Sequence, residues 1–381
     1  MNIKRLLNLK LPARQSAFLW GPRKTGKSTF LHQHYPRSIV FDFLDTDLYV
    51  DLVKKPSLLR QRILASDIKG PVILDEVQKV TAVLDEVHWL IENKEIAFIM
   101  CGSSARKLKR GQANLLGGRA WRFEMHPLVY PEIKDFNLLR ALNHGLLPIH
   151  YLHADAYRDL RGYVKDYLKE EVFQEGLTRN IPAFSRFFDA VAFDHGQIIN
   201  FTNISRDCAV DVKTVQQYYQ ILVDTFLGHF IDPFKRRQDR GVITRAPKFY
   251  FFDVGVAGSI IGRNIQQEAG IEFGRAFEHF IFMELLAYRS YKEQDFAINY
   301  WRTKTGYEVD FVLAKGEVAV EIKGTSRVDG RDIKGLKTFR DDYHPKKSIV
   351  VSNERHPRIE GGIHFLPWPI FLQQLWQGKI V

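Results

Sequence analysis

The feature that most constrains this chain is a glycine-rich octapeptide that lies between an apolar run ending at Trp20 and a helical pattern. It consists of Gly21, Pro22, Arg23, Lys24, Thr25, Gly26, Lys27 and Ser28. In such a loop the backbone N–H groups turn toward phosphate oxygens, and the N-terminus of the following helix adds a favourable dipole. The spacing Gly-x4-Gly-Lys-Ser in this context therefore predicts a P-loop that binds the phosphates of ATP.

Within this loop two side chains have predicted roles. Lys27 is expected to contact the β- and γ-phosphates, and Ser28 to give its hydroxyl to Mg²⁺. Thr29, the next residue, is included in the predicted nucleotide site. The competing interpretation is a chance glycine-lysine loop, which the agreement between motif and flanks disfavours.

Acidic residues follow a second apolar run. Residues 71–74 form a buried strand pattern that ends in Asp75 and Glu76. Asp75 is expected to hold the water shell of Mg²⁺, and Glu76 to polarise the attacking water. Two acids after an apolar run would otherwise suggest a helix cap, but the P-loop upstream favours the catalytic interpretation. Ser103, at the end of the next strand pattern, is the candidate sensor of the γ-phosphate, with Ser104 as the alternative.

An arginine often neutralises charge that develops on the γ-phosphate, and Arg106 and Arg119 are the candidates. A surface arginine near a turn is an equally good interpretation of Arg119 and the preferred one for Arg106. If Arg119 acts on the nucleotide of a neighbouring subunit, the protein is a homo-oligomer. The sequence leaves this open.

The order of predicted elements indicates an α/β protein. Strand-length runs at 16–20, 38–43, 71–74, 96–101 and 120–125 alternate with helical stretches, which is typical of a parallel sheet covered by helices. The middle of the chain is mostly helical. Four further strand runs, at 297–301, 308–313, 318–323 and 347–351, then accompany helices near 273–288 and 333–343. The expected domains are residues 1–145, 146–255 and 256–381.

Composition narrows the partners. The formal net charge of +11 favours a polyanion such as DNA, although charge alone does not separate nucleic acid from other acidic surfaces. No apolar run has the length of a membrane-spanning helix, so we expect no membrane partner and a cytoplasmic location. Cys101 and Cys208 are far apart and are expected to be buried apolar residues.

The middle segment carries two candidate nucleic-acid surfaces. Residues 202–224 are predicted to form two helices joined near Val210 and Asp211, with Asp211 capping the second helix. This pattern resembles a helix-turn-helix, and its polar face is also what an ordinary solvated helix presents. That face comprises Lys213, Thr214, Gln216, Gln217 and Gln220. A basic cluster follows, and a hairpin wing could present it to phosphates; it consists of Lys235, Arg236, Arg237, Arg240, Arg245 and Lys248.

A third constellation lies near the C-terminus. Asp310 is on one predicted hairpin strand, and Glu321 and Lys323 share a face of the next strand, because side chains alternate. Asp-x10-Glu-x-Lys resembles the pattern of the PD-(D/E)xK nucleases, and Glu278 lies on the preceding helix. Glu278, Asp310 and Glu321 would supply oxygen ligands to Mg²⁺, and Lys323 would orient water or stabilise the phosphate. The competing interpretation is a solvated hairpin face.

Four segments together resemble the AAA-plus-like ATPases of bacteria and archaea that carry a C-terminal domain of unknown function. They are residues 21–28, 74–78, 101–108 and 116–120. The resemblance implies a P-loop ATPase core, a winged-helix-like middle and a restriction-endonuclease-like C-terminal part. We therefore expect an ATPase coupled to nucleic-acid binding and to Mg²⁺-dependent DNA cleavage. The alternative is a nucleotide-dependent switch or scaffold whose C-terminal domain binds protein or DNA without cutting.

Overall fold

The computed structural model describes residues 3–106, 116–153, 155–164, 180–236 and 246–381. They form two compact units. The N-terminal unit comprises Lys4–Pro127 and Ile221–Leu227, and the C-terminal unit comprises Leu128–Gln220, Gly228–Val381 and the residues before Lys4. Among the described residues, no helix has the length and apolar character that crossing a membrane requires.

The described part of the N-terminal unit contains a sheet of five parallel strands in the order β2-β3-β4-β1-β5. The strands are β1 (Ser16–Trp20), β2 (Val40–Asp42), β3 (Val72–Asp75), β4 (Phe98–Gly102) and β5 (Ala120–Glu124). Every residue of β1, β3 and β4 is buried, as expected for central strands covered on both faces. The predicted parallel α/β sheet is therefore confirmed.

Helices connect these strands and pack on the sheet. They are α1 (Lys27–His34), α2 (Thr46–Lys54), α3 (Ser57–Leu64) and α4 (Val83–Lys94). Leu59, Ile63, Val87 and Leu90 are fully buried and belong to the same core cluster as Phe98 of β4. The carboxyl ends of β1, β3 and β4 lie at one edge of the sheet because the strands are parallel, and this edge carries the segments that the sequence singles out.

The C-terminal unit begins with helices. These are α5 (Leu138–His144), α6 (Pro148–Leu152), α7 (Ala156–Gly162), α8 (Ile181–Phe193), α9 (Phe201–Cys208) and α10 (Val212–Asp224), whose last residues belong to the N-terminal unit. An antiparallel hairpin of β6 (Gly228–Ile231) and β7 (Lys248–Phe251) follows. Helices α11 (Val254–Ile260) and α12 (Ile271–Tyr291) come next.

A second sheet completes this unit, and its six described strands run in the order β12-β13-β11-β10-β9-β8. They are β8 (Ile298–Arg302), β9 (Glu308–Leu313), β10 (Val318–Lys323), β11 (Lys347–Ser352), β12 (Arg358–Glu360) and β13 (Ile363–Pro367). Helices α13 (Lys334–Tyr343) and α14 (Trp368–Trp376) accompany them. Strands β8, β9 and β10 are antiparallel neighbours, whereas β10 and β11 are parallel.

The units differ from the predicted domain boundaries. Residues 128–145 belong to the C-terminal unit because Leu138 and Leu142 pack into its core. That core also joins Tyr250 of the hairpin to Phe280 of α12 and Phe311 of β9. The segment expected as a separate middle domain therefore shares one hydrophobic core with the C-terminal sheet.

Candidate functional site

The predicted P-loop lies between β1 and α1, at the carboxyl edge of the parallel sheet. Gly21 has a φ of 145°, and a Cβ atom at this position would lie 2.4 Å from the carbonyl oxygen of Met125. The backbone of Met125 is fixed there because its N–H donates to Trp20 O at 2.7 Å. Only glycine fits this turn without moving the neighbouring chain.

Two side chains of the loop fold inward. The ammonium of Lys27 donates to Gly21 O at 2.7 Å and to Pro22 O at 2.9 Å, and Lys27 is buried. The Thr25 hydroxyl also donates to Pro22 O at 2.8 Å. Lys24 is exposed, Arg23 is half-buried, and Thr29 is exposed on α1. The loop therefore presents a lysine ammonium inside a ring of backbone groups, which is the arrangement that recognises phosphate.

The P-loop is joined directly to the end of β3. Ser28 Oγ donates to Asp75 Oδ2 at 2.6 Å, so the two residues predicted to serve Mg²⁺ are in contact. Asp75 Oδ1 accepts from the N–H of Glu76 at 2.9 Å and from the thiol of Cys101 at 2.7 Å. A hydroxyl and a carboxylate are hard oxygen donors of the kind that Mg²⁺ prefers, so this pair fits the ion.

The Glu76 side chain is held by Gln78, a residue to which no sequence pattern assigns a role. Glu76 has a φ of 56°, in the left-handed region, and its carboxylate Oε2 accepts a hydrogen bond from Gln78 Nε2. Gln78 is buried and also donates to Ser103 Oγ at 3.2 Å. Gly102 leaves room for this amide, because a Cβ atom there would lie 2.1 Å from Gln78 Oε1. Gln78 thus connects the predicted base to the predicted sensor.

An arginine near the start of the chain also supports the loop. Arg5 Nη1 donates to Thr25 O at 2.6 Å, and Arg5 Nη2 donates to His126 O at 2.7 Å and Pro127 O at 3.2 Å. One planar guanidinium therefore connects the P-loop backbone to the chain that leaves β5. No motif in the sequence indicates this contact, because Arg5 precedes Thr25 by 20 residues.

The structure does not bring Arg119 to the P-loop of its own chain. In the parallel pair of β1 and β5, Ser16 is opposite Ala120 and Trp20 is opposite Glu124. Arg119 therefore lies at the amino edge of the sheet, about 16 Å of strand away from the loop. Its guanidinium forms an ion pair with Glu92. A role for Arg119 at a neighbouring subunit's nucleotide stays a prediction.

Arg106 is placed differently from the surface arginine that the sequence favours. It follows β4 at the carboxyl edge, next to the buried Ser103 and Ser104, and only 6% of it is exposed. The backbone N–H of Arg106 donates to Ser104 Oγ at 3.3 Å. Arg106 is therefore on the same edge of the sheet as the P-loop, whereas Arg119 is not.

The C-terminal constellation is assembled on neighbouring strands. Asp310 Oδ2 accepts from the N–H of Ile322 at 2.7 Å, which fixes it beside Glu321, and Lys323 Nζ lies 2.6 Å from Glu321 Oε1. Asp310 and Glu321 are buried. A solvated hairpin face is therefore excluded for these two acids, although it was the competing interpretation.

Proximity and burial shift the pKa of each of these groups. Burial, together with Glu321 and Glu278, raises the pKa of Asp310 well above its usual range. Burial raises the pKa of Glu321 to about 7, although Lys323 acts in the opposite direction. Burial also opposes the charge on Lys323, but the neighbouring Glu321 and Asp310 outweigh it and raise the pKa of Lys323. Burial and the neighbouring acids therefore disfavour the charged forms of Asp310 and Glu321.

The predicted three-carboxylate metal set needs a correction. Among the described residues, no group of three Asp, Glu, His or Cys side chains is close enough to hold a metal ion. Glu278, the third predicted ligand, instead accepts from the hydroxyl of Tyr250 and pairs with Lys248 at 3.3 Å. Asp310 and Glu321 still fit a cation as a pair, because Glu321 Oε2 is buried and accepts no hydrogen bond from the described residues.

The two helices predicted within residues 202–224, and the cap at Asp211, are present. Helices α9 and α10 flank a turn at 209–211, and Asp211 caps α10 by accepting from the N–H and the hydroxyl of Thr214, each at 2.8 Å. Lys213, Gln216, Gln217 and Gln220 are exposed. In the predicted basic cluster, Arg237, Arg240 and Arg245 lie outside the described residues. Lys248 is buried, so it is not part of an exposed basic surface.

Comparison with protein families divides the chain into three parts. Residues 13–134 match a model described as an AAA domain. This match supports a P-loop ATPase. Residues 136–267 match the domain of unknown function DUF8612, and residues 273–371 match the domain of unknown function DUF4143. The boundary at residues 134–136 lies closer to the start of the C-terminal unit than to the predicted residue 145.

Two curated relatives are uncharacterized proteins of Mycobacterium bovis and Mycobacterium tuberculosis. Each is 24% identical over 324 residues, which cover 81% of this chain and 70% of the relative. A solved structure, a Signal Transduction ATPase with Numerous Domains protein with a tetratricopeptide repeat sensor from Pyrococcus horikoshii, matches 73% of this chain and 47% of that chain. Its identity is 14% and its TM-score is 0.20.

Several residues of both sites were missed at the sequence level. Gln78 stands inside a quoted motif without a role, and Arg5 is too distant in sequence to be connected with the loop. Cys101 and Cys208 are buried as expected, but the thiol of Cys101 is also a donor to Asp75. The sequence does contain a pattern that could have indicated the role of Lys248. A lysine at the start of an aromatic strand is buried together with that strand, and a buried lysine needs an acidic partner.

Proposed function

We propose that the N-terminal unit binds Mg·ATP and hydrolyses it at the carboxyl edge of its sheet. The observation that carries this proposal is the hydrogen bond between Ser28 and Asp75, which joins the P-loop to the acidic end of β3. Lys27 and Glu76 are next to these two residues in the chain, which supports a single site at this edge of the sheet. The match of residues 13–134 to an AAA domain supports the same activity.

Each residue has a distinct role in this proposal. Lys27 and the loop N–H groups hold the phosphates, and Ser28 and Asp75 hold Mg²⁺, which neutralises phosphate charge when it is bound. Glu76 orients the attacking water and accepts its proton. Because Gln78 holds the Glu76 carboxylate, the base is positioned before water attacks. Ser103 lies next to Gln78 and could report the γ-phosphate.

Steady-state ATP hydrolysis and nucleotide binding test this proposal together. Lys27→Ala is expected to lose nucleotide binding, whereas Glu76→Gln is expected to retain binding and lose turnover by roughly a hundredfold or more. Lys54→Ala removes an exposed lysine at the end of α2 and should change neither quantity. Wild-type turnover in Glu76→Gln would overturn the assignment of the base.

For the middle segment we propose binding to DNA. The net charge of +11, the turn between α9 and α10, and the exposed Lys213, Gln216, Gln217 and Gln220 support this, and the hairpin β6–β7 after α10 fits a winged-helix-like arrangement. The change Lys213→Ala should weaken binding to labelled duplex DNA. It should also reduce, by about one, the magnitude of the slope of log binding constant against log salt concentration. Lys292→Ala removes an exposed lysine at the end of α12 and is the charge-matched control. Equal affinities of both variants would contradict this surface.

A second candidate activity is Mg²⁺-dependent DNA cleavage by the C-terminal sheet. The specific observation in its favour is the buried pair of Asp310 and Glu321 beside Lys323, with one free carboxylate oxygen. The order of helix, three antiparallel strands, helix and parallel strand, from α12 to β11, supports a restriction-endonuclease-like fold. When bound, Mg²⁺ would be held by Asp310 and Glu321 and would polarise the phosphate, while Lys323 would orient the nucleophile.

Cleavage of single- and double-stranded DNA, with and without ATP, tests this activity. Asp310→Ala should abolish metal-dependent cleavage, whereas Asp329→Ala, which removes an exposed acid, should not. Equal, negligible cleavage by the wild type and Asp310→Ala would favour a nucleotide-dependent switch or scaffold that binds DNA or protein without cutting. The ATP site would be unaffected by that outcome.

A further inference from the structure

A buried lysine from the hairpin enters the carboxylate cluster of the C-terminal unit. Lys248 begins β7 and is 3% exposed, and its Nζ lies 2.6 Å from Glu308 Oε1 and 3.3 Å from Glu278 Oε1. A buried ammonium is stable only when it is paired, and here two carboxylates pair with it. Lys248 is therefore an integral member of this cluster.

The same strand holds Glu278 with a second donor. Lys248 and Tyr250 are two residues apart on β7, so their side chains lie on the same face of the hairpin. The hydroxyl of Tyr250 donates to Glu278 Oε1, the oxygen that also faces Lys248. Two donors from β7 thus fix the carboxylate of Glu278. Moving Glu278 toward a cation elsewhere would break both contacts.

Asp310 and Glu321 are held by other groups. One oxygen of Asp310 accepts from the backbone of Ile322, and one oxygen of Glu321 pairs with Lys323. The remaining Glu321 Oε2 is buried and accepts no hydrogen bond from the described part of the chain. The cluster therefore has two parts. Asp310 and Glu321 form a pair with one free carboxylate oxygen, and Glu278 is held by the hairpin.

We propose that Lys248 is a resident counter-ion that withholds Glu278 from metal binding, so that the cluster offers a divalent cation the two carboxylates of Asp310 and Glu321. The proposal rests on the cation role of this pair stated above. It differs from the three-acid set that the sequence pattern suggests. Lys248 acts here as a positioning residue, because it determines which carboxylates are available to the cation.

The physical reason is charge compensation. With Lys248 in place, Glu278 and Glu308 have a fixed positive partner and gain little from a cation. Without that charge they become unpaired, partly buried carboxylates next to the buried Asp310 and Glu321, and a divalent cation is then the available compensation. Removing the lysine should therefore strengthen cation binding, which is the opposite of what loss of a supporting residue normally does.

Binding of Mn²⁺ to the full chain without nucleotide, followed by electron paramagnetic resonance of the free ion, tests this. The Asp310→Asn, Glu321→Gln double variant gives the background from other sites. Glu278→Gln, which keeps an oxygen for Tyr250 and leaves Lys248 paired with Glu308, should bind Mn²⁺ within about twofold of the wild type. Lys248→Met should bind it roughly tenfold more tightly, because Glu278 is released.

A double-mutant cycle identifies the cause. In Lys248→Met, adding Glu278→Gln should remove the gain in Mn²⁺ affinity, whereas in the wild-type background the same change has no effect. Lys248→Arg keeps the charge and should bind Mn²⁺ like the wild type. Thermal melting of each variant shows which are folded, and Glu278→Gln alone decides the question if Lys248→Met does not fold.

Each outcome has a distinct meaning. Roughly tenfold weaker binding by Glu278→Gln would make Glu278 a ligand in the wild type and overturn the proposal. Unchanged Mn²⁺ affinity in folded Lys248→Met would also overturn it. A wild type that binds no more Mn²⁺ than the Asp310→Asn, Glu321→Gln variant would instead remove the metal role of the pair, and with it the proposed cleavage, while leaving the ATP site untouched.

Discussion

Glu76 occupies a backbone conformation that non-glycine residues seldom adopt, and its neighbours hold it there. Glu76 directly follows β3 and has a φ of 56°, and its carbonyl oxygen accepts a hydrogen bond from the N–H of Lys79 at 2.9 Å. Such a conformation costs on the order of 1–3 kcal/mol and persists where surrounding contacts enforce it. The result is a carboxylate that points to Gln78. The position of the carboxylate of Glu76, the predicted base, therefore depends on this amide as well as on the backbone.

The change Gln78→Ala should slow ATP hydrolysis without weakening ATP binding. It leaves the Glu76 carboxylate without its donor, and losing one hydrogen bond to a charged group corresponds to roughly a tenfold to hundredfold lower kcat, with KM within about twofold. Steady-state kinetics measure both constants. Gln61→Ala, an exposed glutamine of α3, is the matched control. A wild-type kcat in Gln78→Ala would show that Glu76 needs no such support.

Arg5 provides a second prediction at the residue scale. Its guanidinium connects Thr25 O to His126 O and Pro127 O, so Arg5→Ala should loosen the P-loop and weaken binding of a non-hydrolysable ATP analogue by roughly tenfold. Arg5→Lys keeps the charge but not the planar fork, and should restore little. Calorimetric titration measures the affinity. If Arg5→Ala binds as well as the exposed control Lys4→Ala, the loop does not need this contact.

These residues show what the sequence can and cannot reveal. Lys27, Ser28, Asp75 and Glu76 were predictable because the chemistry of phosphate binding fixes both residue type and local spacing. The contacts of Arg5 and of Lys248 join residues that are far apart in the chain, and only the folded topology specifies them. Arg119 is the converse case, because the direction of β5 carries it away from the P-loop.

At the scale of elements, three segments of the C-terminal unit meet at one buried carboxyl group. Glu284 of α12 accepts from Tyr130 N at 2.7 Å and from Trp376 Nε1 of α14, also at 2.7 Å. Burial raises the pKa of Glu284 to about 8, although both donors act in the opposite direction. The protonated carboxyl is therefore the preferred form in the folded protein at neutral pH. A titrating group thus forms the hydrogen bond between α12 and α14.

The free energy of unfolding should consequently fall as pH rises between about 4.5 and 8. In this range Glu284 has lost its proton in the unfolded chain but keeps it in the folded protein. The stabilisation of the folded protein is therefore complete below about pH 4.5 and is lost by about pH 8. The free energy of unfolding falls by up to about 1.4 kcal/mol per pH unit. Urea unfolding of the wild type and Glu284→Gln at several pH values isolates this contribution. Parallel curves would contradict it, and Glu293→Gln, an exposed residue after the same helix, should follow the wild type.

Secondary structure was predictable to different degrees along the chain. Strands β9 and β10 match the predicted residues because alternating and continuous apolar patterns mark them clearly. Strands β12 and β13 and helix α14 were not predicted. Strand β12 has three residues, two of them exposed, so its sequence shows no buried face. Its pairing with β13 depends on register rather than on an apolar pattern.

At the scale of the whole molecule, helix α10 is divided between the two units. Its residues up to Gln220 belong to the C-terminal unit, and residues 221–227 belong to the N-terminal unit. In the N-terminal unit, Asp224 O accepts from Ala105 N at 3.2 Å, and the ring of Phe226 stacks on Trp20, the residue before Gly21. The end of α10 therefore contacts the edge of the sheet that carries the predicted ATP site.

Binding of an ATP analogue should protect residues 221–227 from hydrogen exchange together with residues 21–28. The physical reason is that the free energy of ligand binding makes local unfolding less frequent in the segments that contact the site. Here these segments are the ends of β1 and β4, which residues 221–227 contact. Exchange measured by mass spectrometry with and without the analogue tests this, and Lys27→Ala should show neither effect. Hydrogen exchange of helix α13 should not change, because its buried side chains pack on the sheet of the C-terminal unit. Protection confined to residues 21–28 would mean that nucleotide binding is not transmitted to the end of α10.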